Sequence, residues 1–138
     1  AAFKHTGING EYLPLIPPFK MQNSISQKIS FEKGILNYIQ PTVDCEFNGP
    51  QNRYLGLNNT ETFTPAYTLL NAGIITEMQY SRSKAATLQV QVNNVFNTVY
   101  QSALSRLKYF EYYTSASNGR PGIYGMGINA SVRLTVPF

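Results

Sequence analysis

One cysteine, Cys45, one histidine, His5, and no tryptophan stand among 138 residues. A single cysteine excludes a disulfide framework within the chain, and with one histidine no zinc-ligand spacing exists. Cys45 falls in an alternating stretch, which marks a packed or lipid-facing thiol, not a nucleophile. His5 lies near a polar terminus and reads as solvated. Charge is scarce too: 13% of residues are Asp, Glu, Lys or Arg, about half the usual share. The net +4 is scattered over positions such as Lys4, Lys28, Arg53, Arg82, Arg120 and Arg133. A nucleic-acid binder would cluster them, so no nucleic-acid partner is expected. No apolar run approaches the ~18 residues of a membrane helix. That excludes helical spans and leaves barrel strands, which need only ~9 to 11 alternating residues. Ala1 to Gly10 lacks the basic start and apolar core of a signal peptide, so for a secreted product the chain is expected to begin after the natural N-terminus.

Catalytic machinery is also missing. No Gly-x-Ser-x-Gly is present, and His5 is the sole imidazole base available. Asp44 and Glu46 are two apart, which places them side by side on the polar face of one strand instead of across a reaction centre. Asn118-Gly119-Arg120-Pro121-Gly122 lacks the lysine and following helix of a phosphate loop and reads as a turn. An enzyme is not expected, nor a metal or cofactor.

What is present is aromatic residues, ten Tyr and eight Phe, and period-two alternation. From Phe19 to Phe31 the odd positions are mostly apolar (Phe19, Met21, Ile25, Ile29, Phe31), and the even positions are Lys or polar. Glu32-Lys33-Gly34 is a tight turn. Ile39, Pro41, Val43, Cys45 and Phe47 share one face of the next run, against Gln40, Thr42, Asp44 and Glu46. Pro41 cannot donate to a ladder, so a bulge or bend is expected there. Leu70, Ala72, Ile74, Met78 and Tyr80 form one face after Ala66, and Ser81 to Lys84 is a second short turn. Leu88, Val90 and Val92 oppose Gln89, Gln91 and Asn93, with a phase slip near Asn94-Val95 that suggests a bulge. The last run sets Val132, Leu134, Val136 and Phe138 against Ser131, Arg133 and Thr135.

The pattern predicts an all-β, antiparallel meander of about five strands, at about 18–31, 35–48, 66–80, 85–100 and 122–138. Long connections are expected at about 1–17, 49–65 and 101–121. Short turns alternating with long loops characterise an outer-membrane barrel with short periplasmic turns and long extracellular loops. Aromatics agree: Phe31, Tyr80 and Phe138 mark one set of strand ends, and Phe19, Phe47, Phe96 and Tyr124 the other, as two interfacial girdles would.

Four stretches carry a resemblance. They are Leu13-Pro14-Leu15-Ile16-Pro17-Pro18-Phe19; Asn52-Arg53-Tyr54 with Glu61-Thr62-Phe63-Thr64-Pro65-Ala66-Tyr67-Thr68-Leu69-Leu70-Asn71; Val92-Asn93-Asn94-Val95-Phe96-Asn97-Thr98-Val99-Tyr100; and Val132-Arg133-Leu134-Thr135-Val136-Pro137-Phe138. In order and spacing they resemble the C-terminal portion of TonB-dependent outer-membrane receptors of the iron-complex type, as in Bacteroidetes. Gly127-Ile128-Asn129 departs from that pattern, where an arginine usually follows the glycine.

The resemblance implies that residues 1–138 are the C-terminal segment of a transmembrane β-barrel of about 22 strands, with the plug domain absent. It implies a bacterial outer-membrane location and TonB-dependent uptake of a nutrient such as a ferric siderophore, haem or cobalamin. The implied partners are outer-membrane lipid, the remainder of the barrel and plug, the barrel-assembly machinery through the terminal Phe138, and TonB through the missing plug. Tyr109, Phe110, Tyr112 and Tyr113, in the expected extracellular loop 101–121, are the candidate ligand-binding residues. Exposed aromatics stack on flat ligands, although clustered aromatics more often bury one another, here against the barrel rim. A second reading is a soluble β-rich ligand- or carbohydrate-binding module. It requires the alternating apolar faces to meet in a core; the barrel requires them to meet lipid.

Overall fold

A computed structural model of the chain describes residues 12–55, 61–109 and 122–137. Among the described residues the regular structure is a six-stranded antiparallel sheet and one 3-10 turn, Arg106–Tyr109. The strands are β1 (Lys20–Ser26), β2 (Ile29–Ser30), β3 (Leu36–Asn48), β4 (Tyr67–Ser81), β5 (Lys84–Asn93) and β6 (Asn129–Thr135). They run in the order β1-β3-β4-β5-β6, with β2 also on β3. The all-β meander is therefore as the alternation indicates. The chain forms two compact units: a sheet unit of residues 22–46, 68–98 and 127–138, and a loop unit of residues 1–21, 47–67 and 99–126.

In the sheet unit, β2 pairs with β3 through Ile29↔Ile39 and Ser30↔Tyr38. Gly34 between them takes φ +109°, a value open to glycine at no steric cost. The run expected as one strand over 18–31 is two, and Pro41 supplies the reason. Gln27 N donates to Pro41 O at 3.2 Å, but proline has no N–H to return. The ladder loses a bond there, and the strand facing Pro41 breaks at Gln27-Lys28 while β3 passes through the proline unbroken. The defect expected in β3 falls on its partner.

β4 and β5 pair from Ala72↔Val92 to Gln79↔Ala85, then shift register before Ser81↔Lys84, across the two-residue turn Arg82-Ser83. β5 and β6 pair from Thr87↔Thr135 to Asn93↔Asn129. Directly opposed residues share a face. Ile74, Val90 and Val132 thus lie on one side, with Thr76, Leu88 and Leu134 beside them. Ile75, Gln89 and Arg133 lie on the other, with Gly73, Gln91 and Ser131.

Backbone direction sets the phase between β3 and β4. Asn37 and Pro41 turn their carbonyls to Phe31 N and Gln27 N, so odd-numbered groups of β3 face β1 and β2, and even-numbered groups face β4. In β4, Leu70 O accepts from Val95 N and Gln79 N donates to Ile35 O, so the odd-numbered groups face β3. Even positions of β3 therefore oppose odd positions of β4. That puts Gln40, Thr42 and Asp44 on the side of Gln89 and Arg133, and Ile39, Val43 and Cys45 on the side of Ile74. The turn end departs from this alternation: Ile35 O already points to Gln79, and Asn37 Nδ2 reaches Glu77 Oε1 at 2.8 Å.

The apolar side is uncovered. Ile25 is 76% exposed, Val132 69% and Leu134 60%, and Val43 and Ile74 are exposed as well. Among the described residues Ala86 alone is a buried hydrophobic. A sheet of this size folding by itself in water would bury that side.

β5 ends at Asn93, short of the expected residue 100. Asn94 takes φ +51°, a left-handed value that asparagine tolerates. Its side chain closes a local ring: Nδ2 donates to Thr98 O at 2.9 Å, and Oδ1 accepts from Thr98 N at 2.8 Å. Where a bulge was expected there is a capped turn, a competing use of asparagine. β6 starts at Asn129, not 122, because donors before it are engaged elsewhere. Ile123 N bonds Leu107 O and Gly125 N bonds Tyr100 O, each at 2.8 Å, within the loop unit. A Cβ on Gly125 would lie 2.3 Å from Tyr100 Cζ, so the glycine admits the ring.

Candidate functional site

The loop unit is held by buried polar groups. Gln51 and Thr64 exchange backbone hydrogen bonds, Gln51 N to Thr64 O at 2.8 Å and Thr64 N to Gln51 O at 3.4 Å. Glu61, buried, accepts Leu15 N on one carboxylate oxygen and Leu55 N on the other. Lys108, also buried, donates its ammonium to Thr62 O at 2.8 Å, Phe63 O at 3.0 Å and Thr64 Oγ1 at 2.6 Å. The Tyr67 and Tyr100 rings lie 4.8 Å apart. Glu61 is thus satisfied by backbone N–H groups and Lys108 by backbone carbonyls and the Thr64 hydroxyl, and such partners are what burial of a charge requires.

Two surfaces of the described residues have the form of a site. The first is a groove of about 670 Å³ in the loop unit, between residues 16–19 and 50–53. Gly49 N donates to Phe19 O at 2.7 Å and Gln51 Nε2 donates to Ile16 O, so its two walls are tied together. The second is a small hollow of about 180 Å³ on the polar side of β5 and β6, lined by Gln89, Gln91, Ser131 and Arg133, with Val132. Beside it Gln91 Nε2 donates to Asn93 Oδ1 and Asn93 Nδ2 to Asn129 Oδ1, both at 3.0 Å. These amides form a connected polar row suited to facing water or other polar surface.

The residues singled out from sequence for ligand stacking are not brought into a described site. Tyr109 closes the 3-10 turn with its backbone, and its side chain lies outside the described structure. Phe110, Tyr112 and Tyr113 lie outside the described residues, as does Phe138. Among the described residues no group of three or more His, Cys, Asp or Glu gathers around a metal-sized space. The groove was not legible as a site: its first wall and the Asn52-Arg53 part of its second fall in stretches that carry the resemblance, yet their adjacency comes from the Gly49–Phe19 pairing, which no local pattern announces. No family model, curated protein or solved structure matches the chain.

Proposed function

We propose that this chain is the C-terminal segment of an outer-membrane β-barrel of the TonB-dependent receptor type, non-enzymatic, serving uptake of a nutrient such as a ferric siderophore, haem or cobalamin. The observation that carries the membrane part is the uncovered apolar side of the sheet. Ile25, Val43, Ile74, Val132 and Leu134 are exposed there, while the opposite side presents Gln89, Gln91, Ser131 and Arg133. Monomers in water seldom tolerate an apolar surface of that extent, whereas a bilayer selects it.

Three further features support the reading. Connections alternate in length, with two residues between β4 and β5 against 49–66 and 94–128 on either side. The outer edges of β1 and β6 pair with no described strand, as within a larger closed sheet. The four stretches of resemblance supply the receptor type and the class of cargo. The rest of the barrel, the plug, the assembly machinery and TonB are the partners this reading calls for. A soluble binding module accounts less well for a sheet on which, among the described residues, Ala86 alone is a buried hydrophobic.

Detergent dependence tests the proposal. The chain is expected to sediment as large aggregates in detergent-free buffer and as a discrete species in micelles. A well-behaved monomer without detergent would remove the membrane reading and leave the soluble module.

A further inference from the structure

We infer that the groove between residues 16–19 and 50–53 binds a small planar arene bearing a carboxylate. Its volume of about 670 Å³ lies in the range of small-molecule sites, about 300 to 1,000 Å³. Ile16, Pro17, Pro18, Phe19 and Pro50 give it patches of apolar surface on stiff side chains, which lose little freedom when a ligand docks, beside a larger share of polar surface. The walls are fixed in advance by the Gly49–Phe19 and Gln51–Ile16 hydrogen bonds, and preformed walls lower the ordering cost of binding.

Two polar groups set the ligand's chemistry. Arg53 lines the groove and is exposed, and among the described residues it has no carboxylate or carbonyl partner. A guanidinium beside an apolar wall binds a carboxylate through paired N–H donors and leaves the wall for an apolar body. Gln51 is 7% exposed and gives its Nε2 to Ile16 O. It also lines the groove, where its Oε1 is the acceptor it would offer a hydroxyl or N–H on the ligand. Phe19 and the prolines favour a flat body, since ring faces stack on both. The inference stands on the groove alone and holds for a receptor or a soluble module alike.

The test is binding of 2-naphthoate, with uncharged 2-naphthalenemethanol as its counterpart, to the full chain in detergent micelles by saturation-transfer NMR and isothermal titration. Naphthoate is expected to bind at least about tenfold tighter than the alcohol, the equivalent of one charge-assisted contact. Arg53→Gln is expected to erase that preference, and Arg82→Gln, in the β4–β5 turn, to leave it intact. Phe19→Ala is expected to weaken both probes together. Equal binding of acid and alcohol, an unchanged preference in Arg53→Gln, or no binding of either probe would overturn the inference.

Discussion

Val132→Lys is expected to abolish the folded membrane form, while Thr87→Lys leaves it nearly unchanged. Val132 sits at the middle of β6, opposite Val90 and in line with Ile74, on the uncovered apolar side. An ammonium at the midplane of a lipid-facing strand costs about 2 to 4 kcal/mol, a fall of roughly 30- to 700-fold in the folded ratio. Thr87 opposes Glu77 and Thr135 on the polar side. A lysine there meets a carboxylate and water, and its effect should stay within about 0.5 kcal/mol. The contrast discriminates between solvents. If the apolar side faced water, Val132, already 69% exposed, would tolerate lysine as readily as Thr87. Heat-modifiable gel mobility of the two variants in extracted membranes reads the difference.

The second large effect is expected at Lys108. Its ammonium is buried and reaches three oxygens, Thr62 O, Phe63 O and Thr64 Oγ1. Lys108→Met keeps the stem and removes the donors to Thr62 O, Phe63 O and the buried Thr64 Oγ1. Hydrogen bonds to a charged group contribute about 1.5 to 3 kcal/mol, so a net loss of about 3 kcal/mol for the cluster is expected, or roughly 100-fold faster amide exchange. The loss should be local. Amides of Gln51 and Thr64, whose mutual bridge lies against the cluster, should exchange faster, while Gln89 and Gln91 in β5 keep their protection. Lys108→Arg is expected to rescue little, because a planar fork cannot replace a compact ammonium among three converging acceptors. Equal protection in Lys108→Met and the parent chain would show that the loop unit does not depend on this cluster.

The sheet was largely legible because its signal is local. Alternation at Leu88, Val90 and Val92 and at Val132 and Leu134 needs only the two-residue period of a strand, and the register bears the shared face out. Features that depend on a neighbour were not legible in place. Pro41 announced a defect, yet the missing N–H acts on the strand across from it, so the break appears at Gln27-Lys28. Asn94 looked like a slip in phase; the pattern shows that alternation ends but not that the side chain turns back onto Thr98. The last strand was expected from about residue 122, but the N–H groups of Ile123 and Gly125 are engaged by Leu107 and Tyr100.

The loop unit was least legible, and for a physical reason. Lys108 and Glu61 are ordinary loop charges in the sequence, and burial by backbone carbonyls and amides leaves no periodic trace. The aromatic cluster at Tyr109, Phe110, Tyr112 and Tyr113 drew attention by composition. The groove at Ile16–Phe19 and Pro50–Arg53 is built from residues common to any turn-rich loop. What distinguishes it is the pairing of Gly49 with Phe19, a contact thirty residues apart in the chain.

The central claim is that the side bearing Ile74, Val90 and Val132 faces lipid and the side bearing Gln89, Gln91 and Arg133 faces water. Spin labels placed singly at residues 130 to 135, in the native gene product carrying Cys45→Ser and held in phospholipid bilayers, test it most directly. Collision with oxygen, which concentrates in lipid, should dominate at Ala130, Val132 and Leu134. Collision with a water-soluble nickel chelate should dominate at Ser131, Arg133 and Thr135. Loss of that alternation, or chelate access at Val132 and Leu134, would contradict the membrane-facing sheet.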